Sequence, residues 1–188
     1  MSLSSLETIA KNVRSCIKCE LCKNRINAVP GKGNPKADLV FVGEAPGKTE
    51  DELGEPFVGA AGKKLSFALE QAGLSRDDVY ITNVVKCRPP QNKTPTLDEE
   101  ESCEPYLNAE ISLIRPKIIC IMGNTAFKAI LGGSNITKER GRLIKKGNKL
   151  YFLTIHPAAA IYNQELSAIF IDDIKKLGNE LSKFKVSQ

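Results

Sequence analysis

The chain has no tryptophan, two methionines and one histidine, and its aromatic content is 6%. Long apolar runs are missing too. The longest, such as 118–122 and 150–155, fall far short of the ~20 residues that cross a bilayer. That excludes a protein built on membrane-spanning helices. The opening Met1-Ser-Leu-Ser-Ser-Leu-Glu7 has no apolar core of the kind that starts a secretory signal. The sequence is therefore read as intracellular, in the cytoplasm. No segment repeats and none is of low complexity. The stretch Gly59-Ala-Ala-Gly-Lys-Lys64 approaches a phosphate-binding loop. It lacks the first glycine, where Phe57 stands, and the Ser/Thr that would hold magnesium, where Lys64 stands. Nucleoside-triphosphate hydrolysis is excluded on that ground.

What remains is an ordinary globular composition, 41% hydrophobic and 26% charged over 188 residues. That length fits one domain, 1–188, with one core. The net charge of +5 is compatible with a polyanionic partner without requiring one.

Cysteine is the informative residue. There are six, and in an intracellular chain cysteines favour metal ligation over disulfides. Cys16 and Cys19 form a C-x2-C pair, which puts two thiolates on one ion or cluster with little strain. Cys87 follows a predicted strand and Cys103 lies on the next predicted helix, so these two can meet. Four thiolates satisfy zinc or an iron–sulfur cluster, and spacing alone does not choose. Cys120, inside Ile118-Ile-Cys-Ile-Met122, reads as a small buried hydrophobe. Cys22 extends the pair to C-x2-C-x2-C, the start of a ferredoxin ligand run. The nearby fourth cysteine before a proline is missing.

Short apolar runs ended by turn residues predict four strands, 38–43, 79–84, 117–123 and 149–155. Helical patterns at 62–72, 96–114, 124–131 and 167–184 alternate with them, after an N-terminal helix at 5–14. Thr96 is the expected N-cap of the second, with Glu99 at the capping-box position. The alternation predicts a three-layer α/β/α domain around a central four-stranded parallel sheet. Ligands of such sheets bind beyond the carboxyl ends of the strands. The segments there are Gly43-Glu-Ala-Pro-Gly47, Asn83 with Lys86-Cys-Arg-Pro-Pro90, Gly123-Asn124 and His156-Pro157.

Taken with Cys16-x2-Cys19, Glu50, Pro56-Phe-Val-Gly59, Ile81-Thr-Asn83, Lys86-Cys-Arg-Pro-Pro-Gln-Asn92 and Cys103, these motifs fall in a telling order. The chain resembles the fourth family of uracil-DNA glycosylases, the iron–sulfur type of thermophilic bacteria and archaea. The resemblance runs from about Cys16 to the last helix. It implies a [4Fe–4S] cluster on Cys16, Cys19, Cys87 and Cys103, tying in the N-terminal segment; Cys22 has no counterpart in that ligand pattern. It implies hydrolysis of the N-glycosidic bond of deoxyuridine in single- or double-stranded DNA, with release of free uracil and an abasic site. No lysine sits at the pocket edge in a motif as an evident imine former, so strand cutting is not expected.

Each residue then has an expected task. An enzyme of this kind must first turn the nucleotide out of the stack. The Asn83 amide offers one donor and one acceptor, matching uracil O4 and N3–H. Cytosine reverses that pair and leaves two buried groups unpaired, at ~1–3 kcal/mol each. Phe57 stacks on the base. Backbone N–H groups of the loop at Gly43, Glu44 and Ala45 approach uracil O2. Ala45 stands where the best-known uracil glycosylases have an aspartate, which leaves Glu44 as the nearest carboxylate to orient water. Glu50 is the family position that crowds the pyrimidine C5 edge. His156 donates to uracil O2 as charge develops, and a neutral imidazole suffices. Lys86, Arg88, Arg140 and Arg142 are candidate phosphate contacts, with Lys93 and the basic stretch 138–149. Ile161 or Tyr162 is the candidate wedge for the vacated stack. The expected assembly is a monomer, with a replication sliding clamp as a further partner. Two other readings compete: an iron–sulfur electron carrier, which leaves Asn83 and His156 idle, and a zinc-bearing nucleic-acid module without catalysis.

Overall fold

The structure, a computed structural model, describes residues 5–186. Helix α1 (Leu6–Arg14) starts at Ser5, whose hydroxyl accepts the Thr8 N–H at 3.1 Å. The sheet strands are β1 (Lys32–Gly33), β2 (Leu39–Gly43), β3 (Tyr80–Asn83), β4 (Ile118–Met122), β5 (Leu143–Lys146) and β6 (Lys149–Thr154). Around them lie α2 (Lys48–Leu53), α3 (Ala60–Gln71), α4 (Leu97–Ile114), α5 (Asn124–Leu131), α6 (Ile136–Glu139) and α7 (Gln164–Val186).

The strand order is β1-β3-β2-β4-β6-β5. The four central strands are parallel and fall where the sequence predicts them, within about two residues. The sheet nevertheless has six strands, because a short antiparallel strand closes each edge. β1 is only two residues long. β5, Leu-Ile-Lys-Lys, is partly exposed throughout and never forms an apolar run. It pairs with β6 across a turn at Gly147, whose φ of +61° suits glycine. By contrast β2 and β4 are buried at every position. That is why they read as continuous apolar runs rather than alternating ones.

Helix α4 begins as predicted: Thr96 N–H donates to Glu99 Oε2 at 2.8 Å and Thr96 Oγ1 accepts from Glu99 N. Helix α1 packs on α4, and α3 packs on α7. Among the described residues no helix is long and apolar enough to cross a membrane. From β2 the chain steps to β3 on one side and then to β4 and β6 on the other. This reversal is the topological switch point, and the carboxyl ends of all four parallel strands open on its edge.

Candidate active site

A cavity of ≈ 280 Å³ opens at that edge. Glu44, Ala45, Glu50, Phe57, Asn83 and His156 line it. Four loops far apart in sequence therefore meet where the strand-end rule puts them. Pro89, Asn92 and Lys93, from the segment after Cys87, complete one wall, so the expectation that no lysine sits at the pocket edge is corrected. Gly43 lies behind the lining. A Cβ there would stand 2.5 Å from both Asn83 Oδ1 and Phe57 Cζ, so the close approach of those two side chains requires glycine.

Asn83 ends β3 and is 2% exposed. Two buried side-chain polar atoms lack a partner among the described residues: Asn83 Oδ1 and His156 Nε2. Buried polar atoms are nearly always satisfied. Two orphans lining one cavity, one of them an acceptor, mark a place for a polar ligand. His156 Nδ1 accepts the Ala158 N–H at 3.2 Å. That bond puts the imidazole hydrogen on Nε2, making the second orphan a donor. Burial lowers the His156 pKa to about 4, only weakly opposed by the Glu50 carboxylate. The ring is therefore neutral at pH 7, and a neutral ring suffices for the donor role expected from the sequence.

Phe57 is buried at φ +52°, a conformation an aromatic residue rarely adopts. The sequence reading missed what holds it there. Arg76 donates from Nη1 to the Phe57 carbonyl at 2.8 Å and from Nη2 to the Pro56 carbonyl at 2.9 Å. A side chain at Gly62 would collide with the Phe57 carbonyl. The Phe57 ring sits 5.7 Å from the His156 ring, tilted 40°. Glu50 Oε1 accepts the N–H groups of Val58 at 2.9 Å and Gly59 at 2.7 Å. Glu50 thus lines the cavity while tying the Phe57 loop to α2. Glu44 Oε2 accepts the Thr125 hydroxyl at 2.6 Å, which fixes its carboxylate.

Four of the cysteines, Cys16, Cys19, Cys87 and Cys103, lie near one another. Cys87 lies within electrostatic reach of Cys103 and Cys19, and Cys103 of Cys19 and Cys16. Arg25 Nη1 donates to Cys87 Sγ at 2.9 Å, while Nη2 holds the Arg14 and Cys16 carbonyls. Among the described residues no three His, Cys, Asp or Glu side chains close on one ion. Four neighbouring thiols are a donor set that either zinc or an iron–sulfur cluster can use. Cys22 is half-buried and lines a separate polar cavity with Arg14 and Arg25. Cys120 is fully buried in β4, as predicted.

The basic residues divide. Lys86 is 1% exposed and ion-paired with Glu110 at 2.8 Å, so the expectation that it touches phosphate is corrected: its ammonium faces the interior. Arg140 is corrected likewise. It donates from Nε and Nη2 to the buried Asp173 at 2.8 and 2.5 Å. Arg142 is exposed and pairs with Glu139, on the same surface. Arg88 donates to Asn92 Oδ1 at 2.8 Å beside the cavity. Tyr162 is 99% exposed just past the His156 turn, whereas Ile161 is half-buried.

A fold and edge cavity of this kind define a class. Residues 30–178 match the uracil DNA glycosylase superfamily. Within it, the chain is 50% identical over 185 residues to a type-4 uracil-DNA glycosylase of Sulfurisphaera tokodaii, covering 93% of this chain and 84% of that one. It is 45% identical to one from Archaeoglobus fulgidus, covering 96% of each chain. It is 46% identical to one from Saccharolobus solfataricus, covering 96% of this chain and 88% of that one. The chain belongs to the type-4 uracil-DNA glycosylase family.

Proposed function

We propose that the edge cavity takes a uracil turned out of DNA and that this chain hydrolyses its N-glycosidic bond. One observation carries the reading: an unpartnered acceptor, Asn83 Oδ1, and an unpartnered donor, His156 Nε2, are buried around the same cavity. Uracil N3–H fits the first and O2 the second. Asn83 Nδ2 then meets O4, and Phe57 covers the ring. Water adds to the sugar C1′ as the bond from C1′ to N1 breaks, and uracil departs as an anion. His156 Nε2–H stabilises the charge growing on O2 from a preorganised position. Glu44, braced by Thr125, orients the water. With Ala45 in the loop, the reaction leans on stabilising the departing anion rather than on a strong base. Glu50 shapes the C5 edge by fixing the Phe57 loop.

Cys16, Cys19, Cys87 and Cys103 are the residues that would hold a [4Fe–4S] cluster, with Arg25 offsetting charge at Cys87 and Cys22 outside the set. Such a cluster would clip the N-terminal segment to the β3 loop and α4, making the whole chain one working unit. DNA phosphates meet Arg142, Arg88, Lys93 and the exposed lysines of 138–149, and Tyr162 enters the vacated stack. The chain acts as a monomer, with a sliding clamp as a further partner to be tested by co-elution.

A uracil-containing oligonucleotide incubated with the protein and then treated with alkali tests the reading. Cleavage at the uracil is expected only after alkali. An intact strand after alkali rejects the reading.

A further inference from the structure

We propose that Lys86 and Glu110 form a buried positioning pair that sets the angle at which Asn83 presents its amide to the cavity. The proposal rests on the reading that this cavity takes uracil. Its basis is where the sheet runs out. β1 pairs only with Tyr80 and Ile81 of β3. The Val84 N–H reaches Gly43 O on the β2 side. Backbone groups alternate along a strand, so the Asn83 carbonyl points to the other side, where β1 has already ended.

The side chain of Lys86 folds back to fill that gap. Its ammonium donates to the Asn83 carbonyl at 2.8 Å, to Thr82 Oγ1 at 2.5 Å and to Glu110 Oε2 at 2.8 Å. All three ammonium hydrogens are used. Glu110 is equally committed: Oε2 also accepts the Thr82 hydroxyl at 2.8 Å, and Oε1 accepts the Gly31 N–H at 3.0 Å. Lys86 and Glu110 are 1% and 0% exposed. A buried pair is weak evidence for added stability, since an apolar pair of the same shape often does as well. It does give direction: a charged donor aimed at a main-chain carbonyl fixes the peptide plane from which the Asn83 side chain springs. Lys86 does not itself line the cavity, so it acts through Asn83.

The test compares wild type with the double variant Lys86→Met/Glu110→Gln, which removes both charges and leaves none buried alone, and with Lys86→Met. Three quantities are read: the single-turnover rate on a uracil oligonucleotide, the inhibition constant of free uracil, and the affinity for an abasic oligonucleotide. Thermal melting reports the folded fraction. Misplacing a group by about 1 Å can cost about a hundredfold in rate. The double variant is expected to lose about 10- to 100-fold in rate and to weaken uracil inhibition, with abasic-DNA affinity within twofold. Any other pattern in the folded double variant overturns the inference: rate and inhibition unchanged, rate falling alone, or DNA affinity falling in step. An inactive wild type would instead reject the function itself.

Discussion

In the proposed reaction His156 acts through the tautomer that the Ala158 N–H imposes on it. With Nδ1 occupied as an acceptor, Nε2 is the donor and needs no second proton. Its folded pKa of about 4 lies below the ordinary 6.5. The folded state therefore binds fewer protons than the unfolded one, and stability falls as pH drops from about 6.5 towards 4. The same shift governs activity: kcat/KM should show no acid limb from His156 until pH nears 4–5. A limb at about 6.5 would show that the ring is not held as described. Gly43→Ala should lower the rate at least about a hundredfold, because the new methyl displaces Asn83 or Phe57, and the overpacking should also lower the melting temperature, at a cost of about 1–3 kcal/mol. The places of Asn83 and His156 were legible because Asn83 lies at the end of one predicted strand and His156 follows another, at the edge where ligands bind. Arg76 and Thr125 were not, since their partners Phe57 and Glu44 lie 19 and 81 residues away in sequence. Lys86 was misread because a lysine beside an arginine looks like a phosphate contact until its burial is known.

At the scale of elements, the site is mounted on strand ends pinned by buried carboxylates. Thr154, the last residue of β6, donates to Asp173 at 2.8 Å, and Asp173 also receives Arg140. Breaking that pair should cost about 2–3 kcal/mol, somewhat under the 3–5 typical of fully buried pairs, because Arg140 is 21% exposed. Arg140→Ala should therefore lower the melting temperature. Arg142→Ala should leave melting alone and reduce the salt slope of DNA binding by about 1. If the two variants trade effects, the division of this basic stretch is wrong. The four parallel strands were legible because each is a short, nearly continuous apolar run closed by turn residues. β1 and β5 were not, because edge strands bury too little to leave such a run. Helix α2 is a single short segment of six residues, Lys-Thr-Glu-Asp-Glu-Leu, with no apolar period to announce it.

For the whole molecule, the proposed cluster would tie α1 and its loop to the rest of the fold. Removal of the proposed cluster by chelation after reduction should lower the melting temperature and free the N-terminal segment to proteolysis. Cys16→Ala should abolish the brown absorbance, whereas Cys22→Ala should retain it. In the proposed reaction the cavity, the strand-end loops and the basic surface act together on one extruded nucleotide. The most direct test is the single-turnover rate on a uracil oligonucleotide for wild type, Asn83→Ala and His156→Ala, with the affinity of each for the same DNA. Each variant should lose about 10²- to 10³-fold in rate while binding DNA within a few-fold of wild type. Rates within tenfold of wild type, or affinities falling as far as the rates, would contradict the account.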